Sequence, residues 1–561
     1  MNEEVNFLDM LPPDISFSYE TGLAVIKSGK QIGNFMPLVI NCVRVIEDEE
    51  IIPSVKFKLI FMDGSVSEAN TRPLKDLVDI EWFAIDPRCL INPAFSKAKD
   101  FLSYIIRSAI PKVSEVVEYH INRIGLHKIE NIPVFCVGDR LIRSFDIDTN
   151  INVILEPIPY RLAIDIDRYT EQQTAAGMIR LANLSPGAGR LIFAHSLLNV
   201  MRSVFMDTGV SPSCILFLVG ETGRKKTTYA AFQTQLYNRD MGIDRPIRLN
   251  SSVSALEAII HDKSDCSVVL DDLFPAKSSE IKRNQEKTLI ELTRILGDNS
   301  GRARMSGNRV VTPQPRCGVI ITGEYLIGTG SDAARLLPIA ISESIDSGGL
   351  SQCQAEPLLL STFYYYFINW YISRYDEIKD LLVEWLADSR NIDLGVHARL
   401  QETYYCLSSA YKLFLQYCVE KGFASVEIAQ VQIRSYNDML LTLVKKQDER
   451  VNQSENGESE EVDYLRLIRT LYKSGSFHLA DDIRQIKDKH DGLIYKERLC
   501  LRGVKLMDAI HRYIPTASQD DVVKALLAKD ALMQGKDKRS IQISGGGGIR
   551  FYAIPLKKLK Q

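Results

Sequence analysis

The sequence predicts an α/β protein built on a five-stranded parallel sheet, and three observations carry that expectation. An apolar run, Cys214-Ile-Leu-Phe-Leu-Val219, breaks into a small basic turn, Gly220-Glu-Thr-Gly-Arg-Lys-Lys-Thr-Thr228, and resumes as Tyr229-Ala-Ala-Phe. That is the pattern of a buried strand, a loop and a helix. A second short run, Cys266-Ser-Val-Val-Leu270, is rich in β-branched residues and ends in Asp271-Asp272. Three more apolar segments, 246–250, 317–324 and 336–341, are separated by helical patterns. Strands alternating with helices form a parallel sheet whose ligands sit at the carboxyl ends of the strands.

The turn after the first strand has chemistry of its own. Gly220, Lys226 and Thr227 hold the spacing G-x-x-x-x-G-K-[ST]. In that pattern backbone N–H groups surround phosphates, the lysine lies on the β- and γ-phosphates, and the hydroxyl reaches Mg²⁺. The nucleotide contacts are therefore expected from Gly220, Glu221, Thr222, Gly223, Arg224, Lys225, Lys226, Thr227 and Thr228. Lys225 stands where the motif has its second glycine. Either Gly223 supplies the needed flexibility, or the loop does not bind phosphate in the usual way. At the second strand, Asp271 would hold Mg²⁺ and Asp272 would orient the attacking water, in a position where glutamate is usual. Aspartate is one methylene shorter, which alters the reach of that base.

Along the chain, residues 1–163 read as a β-rich and helical N-terminal domain. Alternating runs at 23–27, 38–45 and 55–64 predict strands, 93–124 predicts helix from the spacing of Phe101, Ile105, Val113, Val117 and Ile121, and 125–139 predicts a hairpin. Residues 164–350 are the nucleotide core. It opens with helices at 170–179 and 189–205 and continues with a serine-capped helix from Ser252, a long charged helix at 279–296, and a basic hairpin, Gly301-Arg-Ala-Arg-Met-Ser-Gly-Asn-Arg-Val-Val. Residues 351–447 are helical and aromatic-rich. The acidic stretch 448–463 lacks periodicity and reads as a linker. Residues 464–561 combine helices with a glycine-tipped hairpin at 540–554, flanked by Lys536, Lys538, Arg539, Lys557, Lys558 and Lys560. That combination suggests a winged-helix-like module contacting duplex DNA, with Lys538 and Arg539 as contacts.

Composition narrows the classes. With 561 residues, 45% hydrophobic and 25% charged, the chain has enough material for three or four domains. Its net charge of -3 leaves any nucleic-acid contact to local patches. The ten cysteines form no C-x-x-C pair and no ligand spacing with the eight histidines, which argues against zinc and for reduced thiols in a cytoplasmic protein. The chain starts without a basic and apolar leader, and no apolar run has the length of a membrane span.

Taken together, Gly-Glu-Thr-Gly-Arg-Lys-Lys-Thr, Val-Val-Leu-Asp-Asp, Gly-Arg-Ala-Arg, Ile-Ile-Thr-Gly-Glu and Ala-Ala-Arg-Leu-Leu-Pro-Ile resemble the minichromosome-maintenance-like AAA+ replicative helicases of mobile genetic elements. The likeness runs over roughly 125–415 and is most specific over 220–341. It implies a hexameric ring that hydrolyses ATP with Mg²⁺ at subunit interfaces and moves on single-stranded DNA threaded through its pore. By that resemblance Thr322 occupies a sensor position between the attacking water and the γ-phosphate, and Arg335 is a finger reaching a neighbouring subunit's nucleotide. Arg399 is a further sensor candidate, and Arg302, Arg304 and Arg309 sit on a hairpin facing the pore. Two other classes fit the same residues: an ATP-binding DNA scaffold or loader with weak hydrolysis, and a P-loop NTPase that does not act on DNA.

Overall fold

The computed structural model describes residues 7–47, 50–143, 152–158, 160–220, 223–234, 246–249, 251–273, 279–306, 309–324, 326, 330–341, 345–455, 464–511, 513–514, 517–533, 540–544 and 548–560. Met1–Ile164 with Tyr364–Asp376 form one compact unit, and nearly all the rest forms a second.

The first unit is mostly sheet. Its main sheet orders the strands Asn152–Leu155, Glu115–Ile121, Phe35–Glu47, Glu50–Phe61 and Asn70–Pro73. The core between this sheet and the helix Ala98–Ala109 holds Phe35, Phe57, Trp82, Leu102, Ile105 and Ile106. Helix was expected as far as Ile124, but it gives way at Ile110-Pro111, and Glu115–Ile121 is a strand paired in parallel with Phe35–Glu47. Proline ends the helix, and the run Val-Val-Glu-Tyr-His-Ile that follows suits a pleated surface better than a helical one. The expected hairpin near 125–139 is present as Gly125–Ile129 paired with Ile132–Cys136.

The second unit contains the parallel sheet. Its strands are β1 (Ile215–Val219), β2 (Ile247–Arg248), β3 (Ser267–Leu273), β4 (Gly318–Gly323) and β5 (Leu336–Ala340). They lie in the order β2-β3-β4-β1-β5, with every neighbouring pair parallel. β1 and β4 are buried along nearly their whole length, as a parallel sheet covered on both faces requires. The chain crosses from β1 past β4 and β3 to the edge strand β2, then returns through β3 and β4 to β5 on the other side of β1. This reversal of direction makes the crevice at the carboxyl end of β1 the place for a ligand. Helix α1 (Pro186–Val200) packs behind the sheet and buries His195, whose ring meets the Cys214 carbonyl at 3.2 Å and the Ser267 hydroxyl at 3.1 Å. Burial pushes this imidazole down to about 4, so it is a neutral core residue at physiological pH. Nine of the ten thiols are likewise buried and Cys42 is half-buried.

Most of the aromatic residues of 351–447 are core, and Phe363 and Phe414 pack with Phe193 of α1 at centroids 4.8–5.9 Å apart. The acidic stretch behaves differently from expectation in its first half. Helix Val426–Glu455 runs through it, and Asp448 is buried, accepting from the His397 N–H at 2.7 Å and from Asn452 at 2.8 Å. Residues 456–463 lie outside the described part.

In the tail, helices Tyr464–Lys473, Gly503–His511 and Gln519–Ala528 enclose their own apolar core, with Ile468, Leu506, Ile510, Val522 and Leu526. The expected hairpin is present as Ile541–Gln542 paired with Arg550–Pro555, but it belongs to a sheet of five strands rather than standing alone. A second hairpin, Gly492–Tyr495 with Arg498–Arg502, supplies its centre. Its turn residues Lys496 and Glu497 both have positive φ, at 48° and 57°. A turn of that kind usually announces itself by Asn-Gly, which is absent here. Lys536, Lys538 and Arg539 lie outside the described residues.

Candidate nucleotide site

The loop leaves β1 and enters helix α2 (Lys226–Gln233) at the carboxyl end of the sheet. Gly220 is fixed by the Gly323 carbonyl at 3.2 Å, and a Cβ at this position would stand 2.6 Å from the Ile341 carbonyl oxygen. The first motif glycine is therefore required by the end of β5. Gly223 has φ of +87° with open space around it, which is the flexibility the sequence calls for. Lys225 also adopts the left-handed conformation, at φ 60°, ψ 21°, immediately before the helix. The position asks for glycine because L residues are strained there, by about 1–2 kcal/mol. Its Nζ donates to the Ser347 hydroxyl at 2.7 Å. The Glu221 and Thr222 positions are outside the described residues.

This geometry predicts the effect of restoring the motif. Lys225→Gly should relieve the strain and raise the melting temperature, with ATP hydrolysis equal to or above that of the parent. A loss of about tenfold or more, the worth of one hydrogen bond to a charged group, would instead show that the Lys225 ammonium is itself a phosphate ligand.

Lys226 is buried, and its Nζ donates to the Gly220 carbonyl at 2.7 Å, lying across the loop. Next to it, three oxygens converge. The Thr227 hydroxyl donates to Asp271 Oδ1 at 2.6 Å, the Thr322 hydroxyl donates to the same oxygen at 2.5 Å, and the two hydroxyls are 3.0 Å apart. Each comes from a different element: the first turn of α2, the end of β3 and the end of β4. The pairing of β3 with β4 shifts register between Leu270 and Leu273, across Asp271 and Asp272. Such a bulge re-aims side chains at the edge of a site. The Asp272 side chain is outside the described part. The cavity over these groups has a volume of about 390 Å³ and is lined by Gly223, Lys225, Lys226, Thr227, Thr228, Asp271, Thr322 and Glu324 among others. Glu324, the last residue of the Ile-Ile-Thr-Gly-Glu segment, was given no role by the sequence, where its signal was its place two residues after Thr322.

Thr227 and Asp271 offer a hydroxyl and a carboxylate oxygen within 2.6 Å of each other. Hard oxygen donors of this kind, few in number and beside a phosphate loop, fit Mg²⁺, which keeps most of its coordination for water and phosphate. The donor set therefore suits the ion the sequence implied.

Arg335 lies just ahead of β5 and is 9% exposed. Its guanidinium meets Asp298 at 2.7 Å, Asp332 at 3.5 Å and the Ser331 carbonyl at 2.8 Å, all within the same chain. Arg399 donates to the same Asp298 oxygen at 3.0 Å, and Arg294 pairs with Asp332 at 3.0 Å. The two arginines singled out as finger and sensor are thus gathered on one carboxylate. Asp298 and Asp332 were not foreseen, because an ion pair between distant segments leaves no local pattern.

The basic hairpin is present as Arg304–Ser306 paired with Arg309–Val311. Arg302 and Arg304 share one carboxylate. Glu257, 1% exposed on helix α3 (Val253–Asp262), accepts from the Arg302 backbone N–H at 2.5 Å and from the Arg302 and Arg304 guanidiniums. Burial pushes the Glu257 carboxyl up, but the Arg302 N–H and the Arg304 guanidinium outweigh it and hold the group below its ordinary value. Arg302 and Arg304 keep 46% and 42% of their side-chain surface exposed. The Arg309 side chain is outside the described residues.

Among the described residues no helix is long and apolar enough to cross a membrane, and no group of three or more His, Cys, Asp or Glu is placed to hold a metal ion.

No family model matches the sequence, and no curated protein matches it. Among solved structures the chain is similar to the SCCmec type IV Cch active helicase, at 14% identity and a TM-score of 0.49 over 98% of this chain and 99% of that one. It is also similar to the NrS-1 C-terminal region, at 10% identity and TM-score 0.27 over 93% and 96% of the two chains. A third likeness, to JCV helicase, covers 49% of this chain and 75% of the other at 13% identity and TM-score 0.19. At these scores the likenesses describe the chain without assigning it an activity.

Proposed function

We propose that the chain is a Mg²⁺-dependent ATP hydrolase of the AAA+ kind that acts on DNA as a ring, in the manner of a replicative helicase. The observation that carries this reading is the convergence of Thr227, Asp271 and Thr322 on one point beside the phosphate loop, at the carboxyl end of a parallel sheet.

In this reading Lys226 leaves the Gly220 carbonyl for the β- and γ-phosphates, while the loop N–H groups surround them. Thr227 and Asp271 would hold Mg²⁺, which neutralises phosphate charge when bound. The Thr322 hydroxyl can turn from Asp271 towards the attacking water, and Asp272 orients that water for in-line attack on the γ-phosphorus. Arg335 would meet the γ-phosphate bound to a neighbouring subunit, with Arg399 as a sensor, so that hydrolysis depends on assembly. Six subunits would surround single-stranded DNA, with Arg302, Arg304 and Arg309 towards the pore. The tail, with Lys538 and Arg539, would contact duplex, and the protein would work in the cytoplasm on a mobile element's replication.

One observation favours a second reading, an ATP-binding scaffold or loader with little turnover. Arg335 and Arg399 are both engaged by Asp298, and a finger must leave such a partner before it can reach phosphate. A turnover assay with and without DNA separates the two.

The tail gives a test of the duplex contact. Removing residues 464–561 should weaken duplex binding and flatten the slope of log affinity against log salt by roughly one unit per lost phosphate contact. ATP hydrolysis should survive, since the parallel sheet and its loop end well before this segment. An unchanged salt slope would show that the tail does not bind duplex.

A further inference from the structure

In an antiparallel pair, residues opposite each other share a face and successive residues alternate between faces. In the basic hairpin Arg304 stands opposite Val311, Met305 opposite Val310, and Ser306 opposite Arg309. Met305 and Val310 therefore stand side by side on one face, and Arg304 lies on the other. The two apolar side chains are 68% and 66% exposed. Paired across the two strands, they make a small apolar face open to a partner, where a single exposed apolar residue would mean nothing.

The arginines meanwhile are drawn towards the root. Glu257 takes the Arg302 N–H and both guanidiniums, and Ser254 accepts from Arg302 at 2.8 Å. Gly301 permits this approach, because a Cβ there would stand 2.6 Å from Glu257 Oε1 and 2.2 Å from the Pro313 carbonyl oxygen. Met305 and Val310 thus present an apolar face, and beside it one carboxylate lies between two guanidiniums, a net charge of +1 for Arg302, Arg304 and Glu257.

We propose that Met305 and Val310 form an apolar wedge that packs on the faces of unstacked bases in single-stranded DNA, while Glu257 positions Arg302 and Arg304 beside it to meet the backbone. This inference rests on the reading of the chain as an enzyme that acts on DNA. The occupant follows from size and charge. Two side chains by themselves present far less than the roughly 800 Å² per side of a stable contact with a separate protein, and a neighbouring copy in the ring is the alternative that the oligomeric state tells apart. A base face is small, apolar and accompanied by a phosphate, which matches a two-residue wedge with half-exposed arginines at its flank.

The full chain is tested with two oligonucleotides of equal length, a thymidine homopolymer and its abasic counterpart, which keeps the phosphates and removes the bases. The parent protein is expected to bind the thymidine strand about tenfold more tightly than the abasic one, at the low end of what an aromatic side chain gives per base, as suits two aliphatic ones. Met305→Ser with Val310→Ser should remove that preference and leave the salt slope unchanged, since the slope counts phosphates. Met305→Leu with Val310→Ile should restore it, which separates apolar contact from a folding defect, and melting temperatures of both pairs check the fold. If the serine pair keeps the tenfold preference, the wedge is wrong. It is equally wrong if that pair changes only the oligomeric state, because the face then belongs to contacts between copies. If the parent binds neither strand, the DNA reading itself fails, and the wedge with it.

Discussion

Lys226→Ala is expected to abolish ATP binding at working concentrations while leaving the fold intact. The ammonium is buried beside the loop and already spans it to the Gly220 carbonyl. A hydrogen bond to a charged group is worth about 1.5–3 kcal/mol, so losing the lysine from two phosphates lowers affinity by about a hundredfold or more. In the fold the lysine's hydrogen bond to the Gly220 carbonyl is worth about 1 kcal/mol, a loss the protein is expected to survive. Titration calorimetry with ATP, beside a thermal melt, measures both. Unchanged affinity would mean that the loop does not hold phosphate.

Arg335→Ala should keep ATP binding and lose hydrolysis by about a thousandfold or more, the usual worth of an arginine supplied across an interface. Removing one member of a buried ion pair generally costs about 3–5 kcal/mol, because the other charge is left stranded. Here that penalty is softened. Asp298 retains Arg399, Asp332 retains Arg294, and Asp298 is itself 47% exposed. The decisive measurement is complementation. Mixed with Asp271→Ala subunits, Arg335→Ala subunits should regain turnover, because some interfaces then hold an intact Asp271 opposite an intact Arg335. If titrated mixtures never exceed the sum of the separate activities, Arg335 does not act in trans.

How far the sequence could be read depends on the range of the interactions involved. The five strands of the core, the loop and the carboxylate strand were legible because each is a short apolar run followed by a local punctuation signal. Gly223 could be picked out as the flexible residue for the same reason. Val117 and Ile121 were misread as helical because four-residue spacing also fits a strand, and only Pro111 argued otherwise. The Gly492–Tyr495 hairpin was missed because Lys496 and Glu497 carry no turn signature. Asp448 looked like linker since its acidity was legible and its burial under His397 was not. The largest gap lies in the ion pairs. Glu257 is separated from Arg302 by 45 residues and Asp298 from Arg399 by 101. The sequence contains those charges without pairing them, so the restraint on the hairpin and on both candidate arginines became visible only in three dimensions.

The most direct test of the central claim is steady-state ATP hydrolysis by the full chain, with Mg²⁺, in the absence and presence of single-stranded DNA. The proposed function predicts measurable turnover that rises when DNA is added and disappears with Lys226→Ala. Turnover that DNA leaves unchanged, or ATP binding with no turnover under either condition, would contradict it.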